Sequence, residues 1–150
     1  MDVQYILGQD MLTTELLDGL TPIDLYDPNY LGNFNSCYLG VVSAPLEFNG
    51  KSSVLRIMYF GSATSKEGEA RRLAEHEVLL SLNHELVLLL RARTKALLFH
   101  ELGTLPGAEH HFFAINRFPI IRNNITAGFQ CRALAQACEN LNVISAGKLD

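Results

Sequence analysis

The chain has 150 residues, a length that predicts one domain, 1–150, built around a single core. Hydrophobic residues make up 48% of the sequence and charged residues only 19%, which excludes an intrinsically disordered chain. The net charge of −4 has the wrong sign for a surface that neutralises the phosphates of a nucleic acid. We therefore expect no nucleic-acid partner.

The start of the sequence lacks the basic and apolar segments of a secretory signal. The longest apolar run, residues 86–90, is far shorter than the ~20 residues of a membrane span. Three cysteines without a C-x-x-C pair fit a reducing compartment. These features predict a soluble, cytoplasmic protein that has no membrane partner.

The first predicted element is a helix. Apolar residues recur every three to five positions over residues 6–20, and Gly19 and Pro22 mark the end of this stripe. Residues 33–60 are instead rich in β-branched and aromatic side chains, which predicts two or three antiparallel strands. Ala44-Pro45 is expected to break the first strand, and Asn49-Gly50 to form a type I′ hairpin turn.

A second helix is predicted from Thr64-Ser65-Lys66-Glu67, which has the spacing of a capping box. Its apolar residues continue to Leu90, while Glu69 and Glu75 are expected on its solvent side. The run 86–90 is apolar on all sides, so it fits a helix with a partner or a buried strand. We favour the helix.

Two further strands, 95–101 and 110–117, are predicted to form a hairpin around the glycine- and proline-rich loop 103–107. A third helix is expected after Asn123-Asn124, whose side chains are suitable N-caps. The predicted order is α-β-β-β-α-β-β-α. This order indicates an α+β fold with a mainly antiparallel sheet and three helices.

Side chains that carry chemistry are present, but without the spacing of a catalytic or metal site. His76 and His84 each begin like the zinc motif H-E-x-x-H, yet a leucine stands four residues later in both cases. We expect surface or capping histidines, and a solvated helix face for Glu75 and Glu77. G-x-S-x-G and Walker A motifs are also missing, so we expect no enzyme activity and no cofactor.

One resemblance is to the small lobe of a protein kinase. Residues 32–38 resemble its glycine-rich turn, residues 53–58 its third strand, and Glu75 with residues 82–87 its αC region. However, Asn35 stands at a glycine position, Arg56 replaces the strand lysine, and neither H-R-D nor D-F-G follows. This alternative implies an inactive, small-lobe-like regulatory protein that binds another kinase.

A second resemblance extends over nearly the whole chain. It rests on five segments: L-L-D-G-L-T-P-I-D-L at 16–25, C-Y-L at 37–39, L-L-S-L-N at 79–83, A-I-N-R-F-P-I at 114–120 and C-E-N-L at 138–141. In this order they resemble a class I type III secretion chaperone of the Tir-chaperone group. The resemblance implies a homodimer, paired largely through the second helix, that binds an extended N-terminal segment of a secreted effector without a nucleotide.

The same resemblance implies two sets of site residues. The client-binding candidates lie on the first helix and first strands: Met11, Leu12, Leu16, Leu39, Val41, Leu55 and Ile57. The dimer-interface candidates lie on the second helix: Leu79, Leu82, Leu86 and Leu90. For every member of both sets, burial in the core is the competing interpretation, because apolar periodicity first reports burial.

Overall fold

The computed structural model describes residues 19–81 and 97–147, with side chains described for residues 19–81 and 99–144. Its elements are β1 (Phe34–Phe48), β2 (Lys51–Ala63), α1 (Gly68–Leu80), α2 (Leu97–Gly103), β3 (Glu109–Pro119) and α3 (Ile125–Gly147). The α+β class and the antiparallel sheet are therefore confirmed, and the described residues contain three helices. The predicted order of elements is not matched. Most of the predicted first helix, and the predicted second helix beyond Ser81, lie outside the described residues.

The three described strands form one antiparallel sheet in the order β2-β1-β3. β1 is central and turns directly into β2, with Phe48 paired to Lys51. Asn49 has a φ of 51° and Gly50 a φ of 74°, the two positive values that a type I′ turn requires. The predicted hairpin turn is confirmed.

The predicted break at Ala44-Pro45 is wrong, because β1 continues through both residues. Pairing of β1 with β3 ends at Ser43, which lies opposite Glu109, whereas pairing with β2 continues to Phe48. Pro45 therefore has a neighbouring strand on one side only within the described sheet. A proline is tolerated there because its missing N–H group faces no ladder partner.

The predicted strand at 95–101 is also wrong, because residues from Leu97 form α2. Phe99, His100 and Leu102 are buried, a pattern that a helical turn produces and a strand with one buried face does not. A short apolar run fits both the 3.6-residue period of a helix and the two-residue period of a strand, so its sequence alone does not distinguish the two elements. The strand predicted at 110–117 is confirmed as β3, but its partner is β1.

Two helix starts were predicted close to their observed positions. α1 begins at Gly68, but Glu67 makes no side-chain capping bond, and the Gly68 amide instead donates to the Ser65 hydroxyl at 3.1 Å. The capping box is therefore not formed. At α3 the Asn124 side chain accepts from the Ala127 amide at 3.0 Å, as expected of an N-cap.

Helices cover both faces of the sheet. On one face Cys138 of α3 packs against a buried cluster: Leu20, Cys37, Leu39, Val41, Phe60, Phe113 and Ile115. The other face, with α1 and α2, has a second cluster: Tyr38, Val42, Ala44, Ala63, Leu73, Leu80, Phe99, Leu102 and Phe112. Alternate residues of β1 enter the two clusters, as the two-residue period of a strand dictates.

Candidate functional site

The main exposed apolar surface of the sheet lies at the far end of the β1–β2 hairpin, residues 45–58, which we call the distal hairpin. Its large apolar residues with substantial exposure are Leu46, Phe48, Val54, Leu55 and Met58. Val54 is 65% exposed and Phe48 is 75% exposed. The last pair between β1 and β3 joins Ser43 to Glu109, so residues 45–55 of the distal hairpin lie beyond the end of β3. Residues 56–58 lie opposite the last β1 residues that still pair with β3.

Both faces of the distal hairpin contribute to this surface. Val54 lies opposite Pro45, and Met58 lies opposite Val41, whose side chain belongs to the cluster beneath α3. Leu55 lies opposite Ala44, which belongs to the cluster beneath α1 and α2. An extended segment laid along β2 therefore meets apolar side chains on either side of the strand.

The outer edge of β2 is the second part of the candidate site. Within the described residues, β2 pairs only with β1. A free strand edge presents a row of N–H and C=O groups that another extended chain can pair with. Arg56 stands on this strand, with its Nε donating to the Ser43 hydroxyl at 3.3 Å. The edge therefore combines backbone hydrogen-bonding groups with the apolar side chains of the strand, while the Arg56 side chain is held toward β1.

The predicted client-binding residues fall into three groups. Leu55 is exposed in the distal hairpin, and Ile57 is half-buried against the core. Leu39 and Val41 are buried in the cluster beneath α3, where they offer no surface to a client, so the core interpretation holds for these two. Three candidates lie outside the described residues: Met11, Leu12 and Leu16.

The predicted dimer residues are described at one position only. Leu79 is half-buried near the end of α1, and its neighbour Val78 is exposed. Leu82, Leu86 and Leu90 lie outside the described residues. The role of the second helix in pairing stays a prediction.

Sequence reasoning missed an apolar stripe on the solvent side of α3. Its large members are Phe129, Leu134, Leu141 and Ile144, all exposed. The helix turns a different side to the sheet, with Ala135 and Asn142 buried. Between residues 125 and 144 the only charged side chains are Arg132 and Glu139, both half-buried. That absence of charge from the solvent side is the sequence signal that distinguishes this helix from an ordinary surface helix.

A buried polar chain runs through the cluster beneath α1 and α2. The Tyr38 hydroxyl lies 2.8 Å from His76 Nε2, and His76 Nδ1 lies 2.9 Å from His100 Nε2. All three side chains are almost fully buried, so the expectation of a surface or capping role is wrong for His76. Because a neutral imidazole has one donor and one acceptor nitrogen, the hydrogen bonds run in one direction along the chain.

Burial keeps these groups uncharged. It lowers the pKa of His76 to about 3, with Arg72 and His100 contributing further, and lowers the pKa of His100 to about 4, with Arg72 assisting. Burial also raises the pKa of Tyr38. Such a chain resembles a proton relay, but its inaccessibility keeps a substrate from reaching it. We assign it a structural role, in which it fixes α1 and α2 against β1.

A buried ion pair joins α1 to β3. Glu69 is fully buried and accepts two hydrogen bonds from Arg117, at 3.0 Å from Nε and 2.8 Å from Nη2. Tyr30 donates a third, at 2.6 Å. The prediction of a solvent-facing Glu69 is therefore wrong, whereas Glu75 is exposed as expected. Glu77 contacts His110 at 2.8 Å, again in a structural pair.

Residues of the kinase-like pattern lie at separate places. Gly32 precedes β1 and does not lie in a turn between two described strands. Asn35 is buried in β1, where its amide donates to the carbonyls of Ala63 and Ser65 at 3.1 and 3.0 Å. Arg56 lies on the exposed distal hairpin. The structure therefore does not bring the matched glycine-rich segment and Arg56 together as one nucleotide-facing surface.

Comparison with known proteins gives no relative. No family model, no curated protein and no solved structure matches the chain. No helix among the described residues is long and apolar enough to cross a membrane. In the same ranges, no group of three or more His, Cys, Asp or Glu side chains is arranged to hold a metal ion.

Proposed function

We propose that this protein is a non-catalytic, cytoplasmic chaperone that binds an extended N-terminal segment of a secreted effector protein. The observation that carries the proposal is the distal hairpin, which joins a strand edge that no other described strand covers to exposed apolar side chains on both faces. The order of the chaperone-like segments in the sequence adds support.

The distal hairpin favours an extended client for a physical reason. A segment that pairs with β2 satisfies its backbone hydrogen bonds, and its alternate side chains cover apolar surface on the two faces. Burial of that surface contributes roughly 25 cal/mol per Å² of apolar area, less the cost of ordering the segment. Binding of this kind needs no cofactor and no reaction.

Co-expression with proteins encoded beside this gene tests the proposal. A client should co-purify in stoichiometric amount, lose binding when its N-terminal region is deleted, and show protease protection of that region only in the complex. In the purified complex, Val54→Asp should weaken binding at least about tenfold, because a carboxylate would then be buried against the client. Tyr26→Asp, at an exposed aromatic residue outside the hairpin, should leave binding unchanged.

The outcomes separate the two functional hypotheses. Binding that Val54→Asp leaves unchanged would place the client elsewhere on the surface. Failure of every neighbouring protein to co-purify, together with binding of the chain to an intact kinase domain, would replace the chaperone hypothesis with the kinase-like one. A non-catalytic role would be contradicted if the chain transferred labelled phosphate from ATP and the Arg56→Ala variant lost this activity.

We also propose that the chaperone is a homodimer paired through the second helix, so light scattering should give twice the mass of one chain. Leu82→Glu should then produce a folded monomer that keeps its circular dichroism. Leu141→Glu introduces the same charge on the exposed stripe of α3 and serves as the matched comparison. A monomer from Leu141→Glu, with Leu82→Glu still dimeric, would move the interface to α3.

A further inference from the structure

A pocket of about 410 Å³ lies at the opposite end of the sheet from the distal hairpin. The loop between β3 and α3 forms one wall, and the turn before α1 forms another. Three cations line it: Lys66 from the turn, Arg122 from the loop and Arg132 from α3. We call this cavity the basic pocket.

The three cations have no anionic partner within the described structure. The ion pairs formed there involve Arg71, Arg72, His110 and Arg117. Arg122 donates instead to the Lys66 carbonyl at 3.3 Å, a contact that holds the loop against the turn. The nearest acidic residue in sequence, Glu67, is paired with Arg71. Positive charge is thus concentrated in one cavity of a chain whose net charge is −4.

The start of α3 forms part of the wall of the basic pocket. There the Ala127 amide donates to the Asn124 side chain, and the Gly128 amide donates to the Asn124 carbonyl. The start of a 23-residue helix adds partial positive charge to the same wall. A β-carbon at Gly128 would lie 2.7 Å from the Ile121 carbonyl oxygen, so glycine there allows the loop to approach α3 closely.

We propose that the basic pocket binds a phosphate group, either as inorganic phosphate or as a small phosphomonoester. Three full positive charges exceed the single charge of a carboxylate, whereas a phosphomonoester carries about −1.5 to −2 at neutral pH. Guanidinium groups match the geometry of phosphate oxygens through paired N–H donors. An extended nucleic-acid surface is not implied, since the cations are confined to one cavity.

Isothermal titration calorimetry of the full chain in low-salt buffer tests the site, with inorganic phosphate and glycerol phosphate as separate probes. Saturable binding should weaken about tenfold in Lys66→Gln and Arg132→Gln, since each removes a charge-assisted contact. Arg56→Gln removes the same charge from β2 and should change the dissociation constant less than about twofold. Circular dichroism should confirm that all three variants are folded.

The two probes identify the source of the phosphate. Tighter binding of glycerol phosphate would show that the remainder of the cavity receives an organic group, and equal binding would assign the site to the phosphate alone. Absence of saturable heat for both probes would overturn the proposal. So would equal weakening in Arg56→Gln, because that result reports overall charge and not the pocket.

Discussion

Leu39 and Leu55 are leucines on paired strands of one hairpin, yet Leu39 is fully buried and Leu55 is 42% exposed. Leu39 lies opposite Phe60 on β2 and Phe113 on β3, in the part of the sheet that α3 covers. Leu55 lies opposite Ala44, beyond the last pair between β1 and β3. The third strand and the helices, not the residue type, therefore separate core from surface along these strands.

Truncating the two leucines should give the largest difference in the free energy of unfolding. Leu39→Ala should lower the free energy of unfolding by about 2–5 kcal/mol, because it leaves a cavity in the covered part of the sheet. Leu55→Ala should cost less than about 1 kcal/mol, since much of its side chain is already in water. Urea unfolding of both variants measures this. Equal losses would mean that the distal hairpin is as tightly packed as the rest.

Acid should destabilise the part of the sheet that the helices cover, through the buried side chains of His76 and His100. Their folded pKa values of about 3 and 4 lie below the unfolded value of 6.5, so the unfolded chain binds more protons as the pH falls. The contribution of these two histidines to stability should be constant above pH ~7 and should decrease below ~6.5 by up to about 1.4 kcal/mol per pH unit for each histidine. The decrease should end as the pH passes through the folded values.

Urea midpoints between pH 7 and 4.5 measure this effect. His76→Gln should flatten the acid side of the profile, whereas His111→Gln, an exposed position on β3, should retain the wild-type slope. A slope unchanged by His76→Gln would show that other groups dominate the acid response.

Substitutions in the turn of the distal hairpin should lower stability through the backbone conformation, even where the side chain is exposed. Gly50 has a φ of 74° with open space around it, so Gly50→Ala meets no steric contact but adopts an unfavourable left-handed conformation. We expect a loss of about 1 kcal/mol, measured by thermal unfolding. Lys51→Ala, the adjacent exposed control, should have a smaller effect.

The smallest effect is expected at Phe48, which is highly exposed at the end of β1. Phe48→Ser should change the free energy of unfolding by no more than about 0.5 kcal/mol, as for most surface substitutions. If the residue contributes to a client site, the same variant should nevertheless weaken client binding. A stability loss above about 1 kcal/mol would show that Phe48 packs within the chain.

Local features of the fold could be predicted from the sequence. The Asn49-Gly50 turn and the Asn124 cap depend on neighbouring residues, and both have the predicted geometry. Pro45 and residues 97–101 were misassigned because their structure depends on where β3 ends and on what covers Phe99. Both the end of β3 and the residues that cover Phe99 are distant in sequence from the segments whose structure they determine.

The site was predicted less completely, for the same reason. Glu69 is buried because Arg117 and Tyr30, which are distant in sequence, hydrogen-bond to it. His76 is buried for the same reason, because Tyr38 and His100 lie within hydrogen-bond distance of its ring. For the client surface, Leu55 was named, but Val54, Met58 and Phe48 were not. Apolar periodicity identifies a stripe, but only the packed structure shows which stripes remain uncovered.

The pairing of β1 has a consequence for how the chain folds. With β2 it pairs residues close in sequence, such as Phe48 and Lys51, whereas with β3 it pairs Phe34 with Pro119. Because loop closure costs more entropy for longer loops, we expect the hairpin to form first and β3 to join later. Until β3 joins, both edges of the hairpin are open to other chains, so the newly made protein is most prone to aggregation at that stage.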